Sequence, residues 1–93
     1  MEAVHKNTPT EGKFELYDDG KLAGELHYNW IDKHKIELDH TEVKDAFKGK
    51  GLAKMLVVEA AEFARKENLK IVPVCPYVVS LFVRSADFDD VKA

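Results

Sequence analysis

The residues of this sequence best suited to chemistry lie between positions 47 and 54. Residues 47–53 read FKGKGLA, and Gly49 and Gly51 stand where an alternating apolar pattern gives way to a helical one. Glycine lets the backbone turn sharply and lets a ligand come close. The first N–H groups of a helix lack intrahelical partners and carry partial positive charge, so this end can hold a phosphate or pyrophosphate. Lys48, Lys50 and Lys54 add full positive charges.

Two common phosphate-binding loops fit these residues poorly. A dinucleotide-binding loop needs a third glycine at position 54, which is Lys54. A P-loop needs a hydroxyl residue after its lysine, and Lys50 is followed by Gly51. The alternative to anion binding is a glycine-containing loop that simply begins a helix.

The elements that position this loop follow from apolar periodicity. The predicted order is β-β-β-α-β-α, an α+β fold in which helices pack on an antiparallel meander with one added parallel strand. Asp19-Gly20 is a strong hairpin signal, and Asn68 suits a left-handed helix end. Pro73 indicates an edge strand or a place where the sheet opens. The predicted strands are 13–18, 21–30, 35–43 and 70–74, and the predicted helices are 51–67 and 77–85.

Length and composition predict a single domain, and they argue against nucleic acid and membrane as partners. The chain has 93 residues, a formal net charge of −3 and one cysteine. The acidic balance argues against nucleic acid, and no apolar run approaches the ~20 residues of a membrane span. One cysteine and the lack of a signal-peptide core indicate a cytoplasmic protein, and no zinc-ligand spacing occurs. Residues 1–12 are predicted to be a loose lead-in, and residues 86–93 an acidic tail.

The glycine loop resembles the acyl-CoA pyrophosphate loop of the GCN5-related N-acetyltransferases, written Arg/Gln-x-x-Gly-x-Gly/Ala. Residues 49–51 match its last three positions, whereas Ala46 departs from the first. Flanking motifs, HTEV at 40–43 and PVCPYV at 73–78, extend the resemblance from about Phe14 to Phe88. Together they are similar to a small single-domain subgroup, the YjdJ-type or N-acetyltransferase domain-containing protein 1-like proteins.

This resemblance implies an acetyl-CoA-dependent N-acetyltransferase that acts on an amine acceptor. The loop would hold the pyrophosphate of CoA, and the pantetheine arm would lie where strands 36–43 and 71–74 splay apart. Backbone N–H groups at that opening would polarise the thioester carbonyl. The implied cofactor-binding residues are Thr41, Val43, Phe47, Lys48, Gly49, Lys50, Gly51, Leu52, Ala53, Tyr77 and Arg84.

The implied catalytic residues are Cys75 and His40. A Cys75 thiolate beside the thioester could take up the acetyl group, although most free cysteines are small buried core residues. Strand parity predicts His40 on the face of Ile36 and Leu38, where it could accept a proton or be a structural histidine. Tyr77 could give a proton to the leaving thiolate or simply pack.

Two other functions are compatible with the sequence. The chain is short, and we expect it to lack the first helical region that often shapes the acceptor site in the family. It could therefore be a CoA-binding module with little activity, serving as a sensor or as a partner of another protein. It could also be a small structural protein whose glycine loop binds nothing. The predicted assembly is a monomer or a weak homodimer.

Overall fold

A computed structural model describes all 93 residues as one five-stranded sheet with two α-helices. The strands lie in sequence order across the sheet, and β5 is parallel to β4 while all other pairs are antiparallel. The predicted α+β fold, with its meander and added parallel strand, is confirmed. The elements are β1 (Glu2–Asn7), β2 (Glu11–Asp18), β3 (Lys21–Asp32), β4 (Lys35–Val43), α1 (Leu52–Glu67), β5 (Lys70–Pro73) and α2 (Pro76–Arg84). Neither helix has the length and apolar character needed to cross a membrane.

The local signals that predicted turns and ends are confirmed. Asp19 and Gly20 both have positive φ, 51° and 80°, as a type I′ hairpin requires. Asn68 ends α1 in the left-handed conformation with φ of 58°. Pro73 is the last residue of β5, which is an edge strand. The N–H that Pro73 lacks therefore does not interrupt the hydrogen-bond ladder of the sheet.

α1 packs across one face of the sheet, and its small residues allow close contact. Its buried side chains recur at helical spacing and include Leu56, Val57 and Ala60. They join Leu26 and Tyr28 of β3 in a single core cluster. The opposite face of β3 carries Glu25, His27 and Asn29, and we call this side of the sheet the outer face.

The prediction of a loose lead-in at residues 1–12 is wrong, because residues 2–7 form β1. This strand pairs with β2 from Glu2 opposite Tyr17 to Asn7 opposite Gly12. Its side chains are exposed except for the half-buried Val4, so the alternation that marks a strand is missing from its sequence. β1 therefore has the sequence of an exposed edge strand.

The ring of His5 fastens β1 to the rest of the protein. It stacks on Phe14 at 4.1 Å between ring centroids and meets Phe63 edge-on at 4.5 Å. Its Nε2 lies 2.7 Å from the hydroxyl of Tyr28, which donates in turn to Asn7 Oδ1. Although His5 is exposed as a whole residue, partial burial of its ring among these aromatic side chains lowers its pKa below the usual 6.5.

This lowered pKa predicts an acid-side loss of stability. Below pH 6.5 the unfolded chain binds a proton at His5 before the folded chain does, so stability falls as pH drops toward the folded-state pKa. His5→Phe keeps the ring but cannot titrate. Urea unfolding at pH 7.5 and pH 5 should show a smaller acid-side loss for His5→Phe than for the wild type. Equal losses in the two proteins would show that His5 does not contribute.

Residues 86–93, predicted to be an acidic tail, pack against the rest of the domain. Phe88 stacks on Phe82 at 5.3 Å between centroids, and both Phe88 and Val91 are buried. The Arg65 guanidinium donates to the Asp90 carboxylate at 2.7 and 3.0 Å. The last residues are therefore part of the packed domain, although the acidic side chains between the apolar ones hide this in the sequence.

Candidate functional site

The glycine loop joins the end of β4 to α1 in a conformation that needs its two glycines. Gly49 has φ of 82° and Gly51, which precedes the helix, has φ of 75°. Nothing lies within 4 Å of a Cβ built on either residue. The positive φ, and not crowding, is therefore what requires glycine at these positions.

This conformation leaves six consecutive backbone N–H groups without a protein acceptor. Before the run, Lys48 N–H donates to Asp45 O at 3.3 Å, and after it Met55 N–H donates to Gly51 O at 3.2 Å. Between them, the amides of residues 49–54 make no hydrogen bond to backbone or side chain. Such a row of free donors at a helix start can bind an anion.

A cavity of about 310 Å³ lies against this row of amides. It gathers residues from the end of β4, the glycine loop, the first turn of α1 and the start of α2. Most of the cofactor-binding residues predicted from sequence thus line one cavity. The lining residues are Val43, Phe47, Lys48, Gly49, Gly51, Leu52, Ala53, Lys54 and Tyr77.

Three of the predicted cofactor-binding residues do not line this cavity. Lys50 Nζ lies over the ring of Phe47, 5.5 Å from its centroid. Arg84 is at the far end of α2, where its Nε donates to the Ser80 hydroxyl at 3.1 Å. Thr41 lies two residues before Val43, and its buried Oγ1 has no hydrogen-bond partner.

The lysines of the loop differ in how free their charges are. Lys48 Nζ pairs with Asp45 Oδ1 at 2.9 Å, and this bond lowers the pKa of Asp45. Lys50 and Lys54 form no ion pair with the protein. Lys54, which lines the cavity, and Lys50, whose Nζ lies over Phe47, are therefore cations without a carboxylate partner.

β4 and β5 separate just beyond Leu38. The last paired residues are Leu38 and Pro73, and Leu38 O accepts from the N–H groups of Val74 and Cys75 at 3.0 and 2.9 Å. The chain then turns into α2, while β4 continues through residues 39–43. That part of β4 has no strand neighbour on its β5 side, so its backbone edge is free there.

Cys75 is the residue that precedes α2 at this opening. Its side chain is buried and belongs to the core cluster. The helix begins with Pro76, and Cys75 O accepts from Val79 N–H at 3.0 Å. No hydrogen bond joins its sulfur to His40 or to any other residue, so the structure places no base in contact with this thiol.

The predicted face of His40 is wrong because β4 contains a bulge. Tyr28 lies opposite Leu38, but His27 lies opposite His40, so Asp39 has no opposing residue. The extra residue reverses the parity of everything after it. His40 is exposed on the outer face, whereas Thr41 lies opposite the core residue Leu26.

Sequence reasoning missed a polar bridge on the outer face, because its residues match no motif. His27 Nδ1 lies 2.7 Å from Asp39 Oδ1, and His27 Nε2 lies 2.8 Å from Glu11 Oε1. The hydrogen bonds to Glu11 and Asp39 raise the pKa of His27. Burial alone would raise the pKa of Asp39, but its bonds to His27 and Asn29 hold it below the usual value.

Comparison with known proteins gives the family. The sequence profile described as GCN5-related N-acetyl-transferase matches residues 13–91. Protein NATD1 of Xenopus tropicalis is 43% identical over 53 residues, 57% of this chain and 49% of that protein. Protein NATD1 of Homo sapiens is 42% identical over 53 residues, 57% of this chain and 47% of that protein. The alignment thus spans about half the length of these curated relatives.

Solved structures agree with the profile. A GCN5-like protein from Staphylococcus aureus superposes with a TM-score of 0.73 at 30% identity, covering 97% of this chain and 87% of that one. The ribosomal-protein-alanine N-acetyltransferase of Brucella melitensis biovar Abortus 2308 shares the fold, with a TM-score of 0.68 at 24% identity over 87% of this chain and 69% of that one. The protein belongs to the GCN5-related N-acetyltransferase family. Membership indicates acyl transfer as its general class of chemistry.

Proposed function

We propose that this protein is an acetyl-CoA-dependent N-acetyltransferase that moves an acetyl group to an amine. The observation that carries the proposal is the row of six free amides at residues 49–54, beside a cavity of about 310 Å³. An anionic diphosphate needs many hydrogen-bond donors and positive charge at one place. The free amides supply the donors, and Lys54 supplies positive charge at the cavity, with Lys50 over the neighbouring Phe47 ring.

The residues around the opening fit the remainder of CoA. The free edge of β4 offers backbone groups to an extended arm that carries amides, as a partner strand would. Thr41 Oγ1 is buried without a partner near this edge, and a buried hydroxyl without a hydrogen bond is costly. A ligand amide at the opening would satisfy it. Acetyl-CoA supplies an activated acetyl thioester when bound.

The route we propose is direct attack by the neutral amine on the acetyl carbon. The amine nitrogen forms a bond to the acetyl carbon as the carbon–sulfur bond breaks. The nitrogen releases one proton to solvent, and the departing sulfur takes one proton from a donor that solvent then reprotonates. Tyr77 lines the cavity and carries a hydroxyl that can give this proton. Cys75 is buried without a neighbouring base, which favours direct attack over transfer through an acetylated cysteine.

Direct attack predicts that Cys75→Ala keeps its turnover within a few-fold of the wild type. Intact mass after brief incubation with acetyl-CoA should show no added acetyl group on either protein. The change removes one sulfur from the core, so a modest loss of thermal stability is expected as well. An acetyl adduct on the wild type that is absent from the variant and discharged by amines would instead establish transfer through Cys75.

The function is tested by release of free CoA thiol in the presence of an amine panel. The panel should contain small primary amines, peptides with free N-termini and peptides with internal lysines. Thiol release that depends on both acetyl-CoA and one class of amine supports the proposal. An absence of thiol release with every class, while CoA still binds, would contradict an enzymatic function.

A second candidate is a CoA-binding module that serves as a sensor or as a partner of another protein. The observation that favours it is the placement of His40, which is exposed on the outer face and makes no hydrogen bond with Cys75. The cavity therefore contains no histidine or carboxylate ready to take a proton from an ammonium group. Tight CoA binding without turnover in the amine panel would support this candidate.

A further inference from the structure

The bulge at Asp39 decides which residues of β4 lie on the α1 side of the sheet, the side on which Val43 lines the cavity. Ahead of it, Leu38 lies opposite Tyr28 on the α1 side of the sheet. Beyond it, Thr41 lies opposite Leu26 and Val43 opposite Gly24, so both side chains again point to the α1 side. Without the extra residue, strict alternation would turn Thr41 and Val43 to the outer face.

A three-strand bridge holds this irregular point. His27, at the register shift on β3, binds Asp39 of β4 at 2.7 Å and Glu11 of β2 at 2.8 Å. The second oxygen of Asp39 accepts from Asn29 Nδ2 at 2.9 Å. The bulged residue is therefore tied by both carboxylate oxygens to the strand it faces.

We propose that the Glu11–His27–Asp39 bridge is a positioning device that fixes the bulge and so the cavity-facing edge of β4. A bulge interrupts the ladder and needs compensating contacts to persist. Charge-assisted hydrogen bonds are the strong kind, and here two of them converge on one histidine. The bridge would act on the acyl donor through Thr41 and Val43 without touching it. This inference rests on the proposed function, because it assumes that CoA lies along this edge.

The test compares two ligands that reach different parts of the site. Acetyl-CoA extends to the β4 edge, whereas 3′-phosphoadenosine 5′-diphosphate carries only the nucleotide and phosphates that the glycine loop would hold. Asp39→Ala should weaken acetyl-CoA binding by about tenfold, the value of one charge-assisted bond. It should leave the affinity for the shorter ligand nearly unchanged. Calorimetric titration measures both affinities.

Two further variants and one control sharpen the comparison. Asp39→Asn keeps an oxygen that can accept from His27 but loses the charge and the acceptor for Asn29 Nδ2, so its acetyl-CoA affinity should lie between those of Asp39→Ala and the wild type. His27→Gln removes the bridge from the other side, and it replaces Asp39→Ala if that variant fails to fold. Glu25→Gln removes a carboxylate from the same face outside the bridge, and neither affinity should change.

A direct measurement of the register between β3 and β4 tests this inference independently of the proposed function. NMR cross-strand contacts between residues 27 and 40 should be lost or shifted in Asp39→Ala and kept in Glu25→Gln. Retained contacts in Asp39→Ala would overturn the inference, whether or not the wild type binds acetyl-CoA. An equal loss of affinity for both ligands, or no loss of affinity for either ligand, would overturn the inference too. Failure of the wild type to bind either ligand would count against the proposed function itself.

Discussion

Replacing Gly51 by alanine is expected to weaken the binding of CoA by about tenfold or more. A residue with a Cβ pays roughly 1–2 kcal/mol in the left-handed region, so the loop relaxes toward negative φ. Gly51 has φ of 75° and stands in the middle of the free amides at 49–54. A changed φ there rotates the adjacent peptide planes and turns those donors away from one another. Isothermal titration with CoA measures the loss.

Gly20→Ala is the matched control for this prediction. Gly20 also has a positive φ, 80°, with nothing within 4 Å of a Cβ, but it lies in the β2–β3 hairpin. Gly20→Ala should lower the free energy of unfolding by about as much as Gly51→Ala does, and it should leave the CoA affinity unchanged. Equal CoA affinities for Gly51→Ala and the wild type would mean that the loop is not the phosphate site.

Phe88→Ala is expected to remove about 3–5 kcal/mol from the free energy of unfolding, the usual cost of deleting a buried aromatic ring. Phe88 is 2% exposed and stacks on Phe82 of α2. Domains of this size are stable by roughly 5–15 kcal/mol, so the loss takes a large share of the total. Urea unfolding followed by circular dichroism measures it.

Val83→Ala is the control for the effect of Phe88. Val83 lies on α2 close to the same region, but it is 82% exposed. Its removal should change the unfolding free energy by no more than about 0.5 kcal/mol. A loss for Phe88→Ala as small as that for Val83→Ala would contradict the packing of residues 86–93 against α2.

Apolar periodicity predicted most of the fold, and it did so where one side of an element is buried. The three central strands and α1 have this property, and their ends agree with the sequence prediction to within two residues. β1 does not have this property. Its residues are mostly exposed, so its sequence does not alternate, and it is recognised as a strand by its backbone pairing with β2. The C-terminal residues failed for a related reason, since Phe88 and Val91 are buried singly among acidic side chains.

The candidate site was predictable where it depends on local backbone chemistry. Gly49 and Gly51 at a strand–helix boundary indicate a donor-rich loop, and the structure leaves those donors free. His40 was placed on the wrong face because a bulge adds one residue without any sequence mark. The bridge from His27 to Asp39 and Glu11 depends on strands that are distant in sequence, and strand pairing had to be known before it could be found.

A ¹⁵N–¹H NMR titration of the protein with CoA is the most direct test of the glycine loop as the cofactor site. We expect the largest shift changes on the amides of residues 49–54, with smaller changes along residues 39–43. The changes should saturate, and they should be reduced in Gly51→Ala but not in Gly20→Ala. No change at millimolar CoA, or changes confined to the cavity between β1 and α1 that Phe14 and Phe63 line, would contradict the assignment of the glycine loop as the cofactor site.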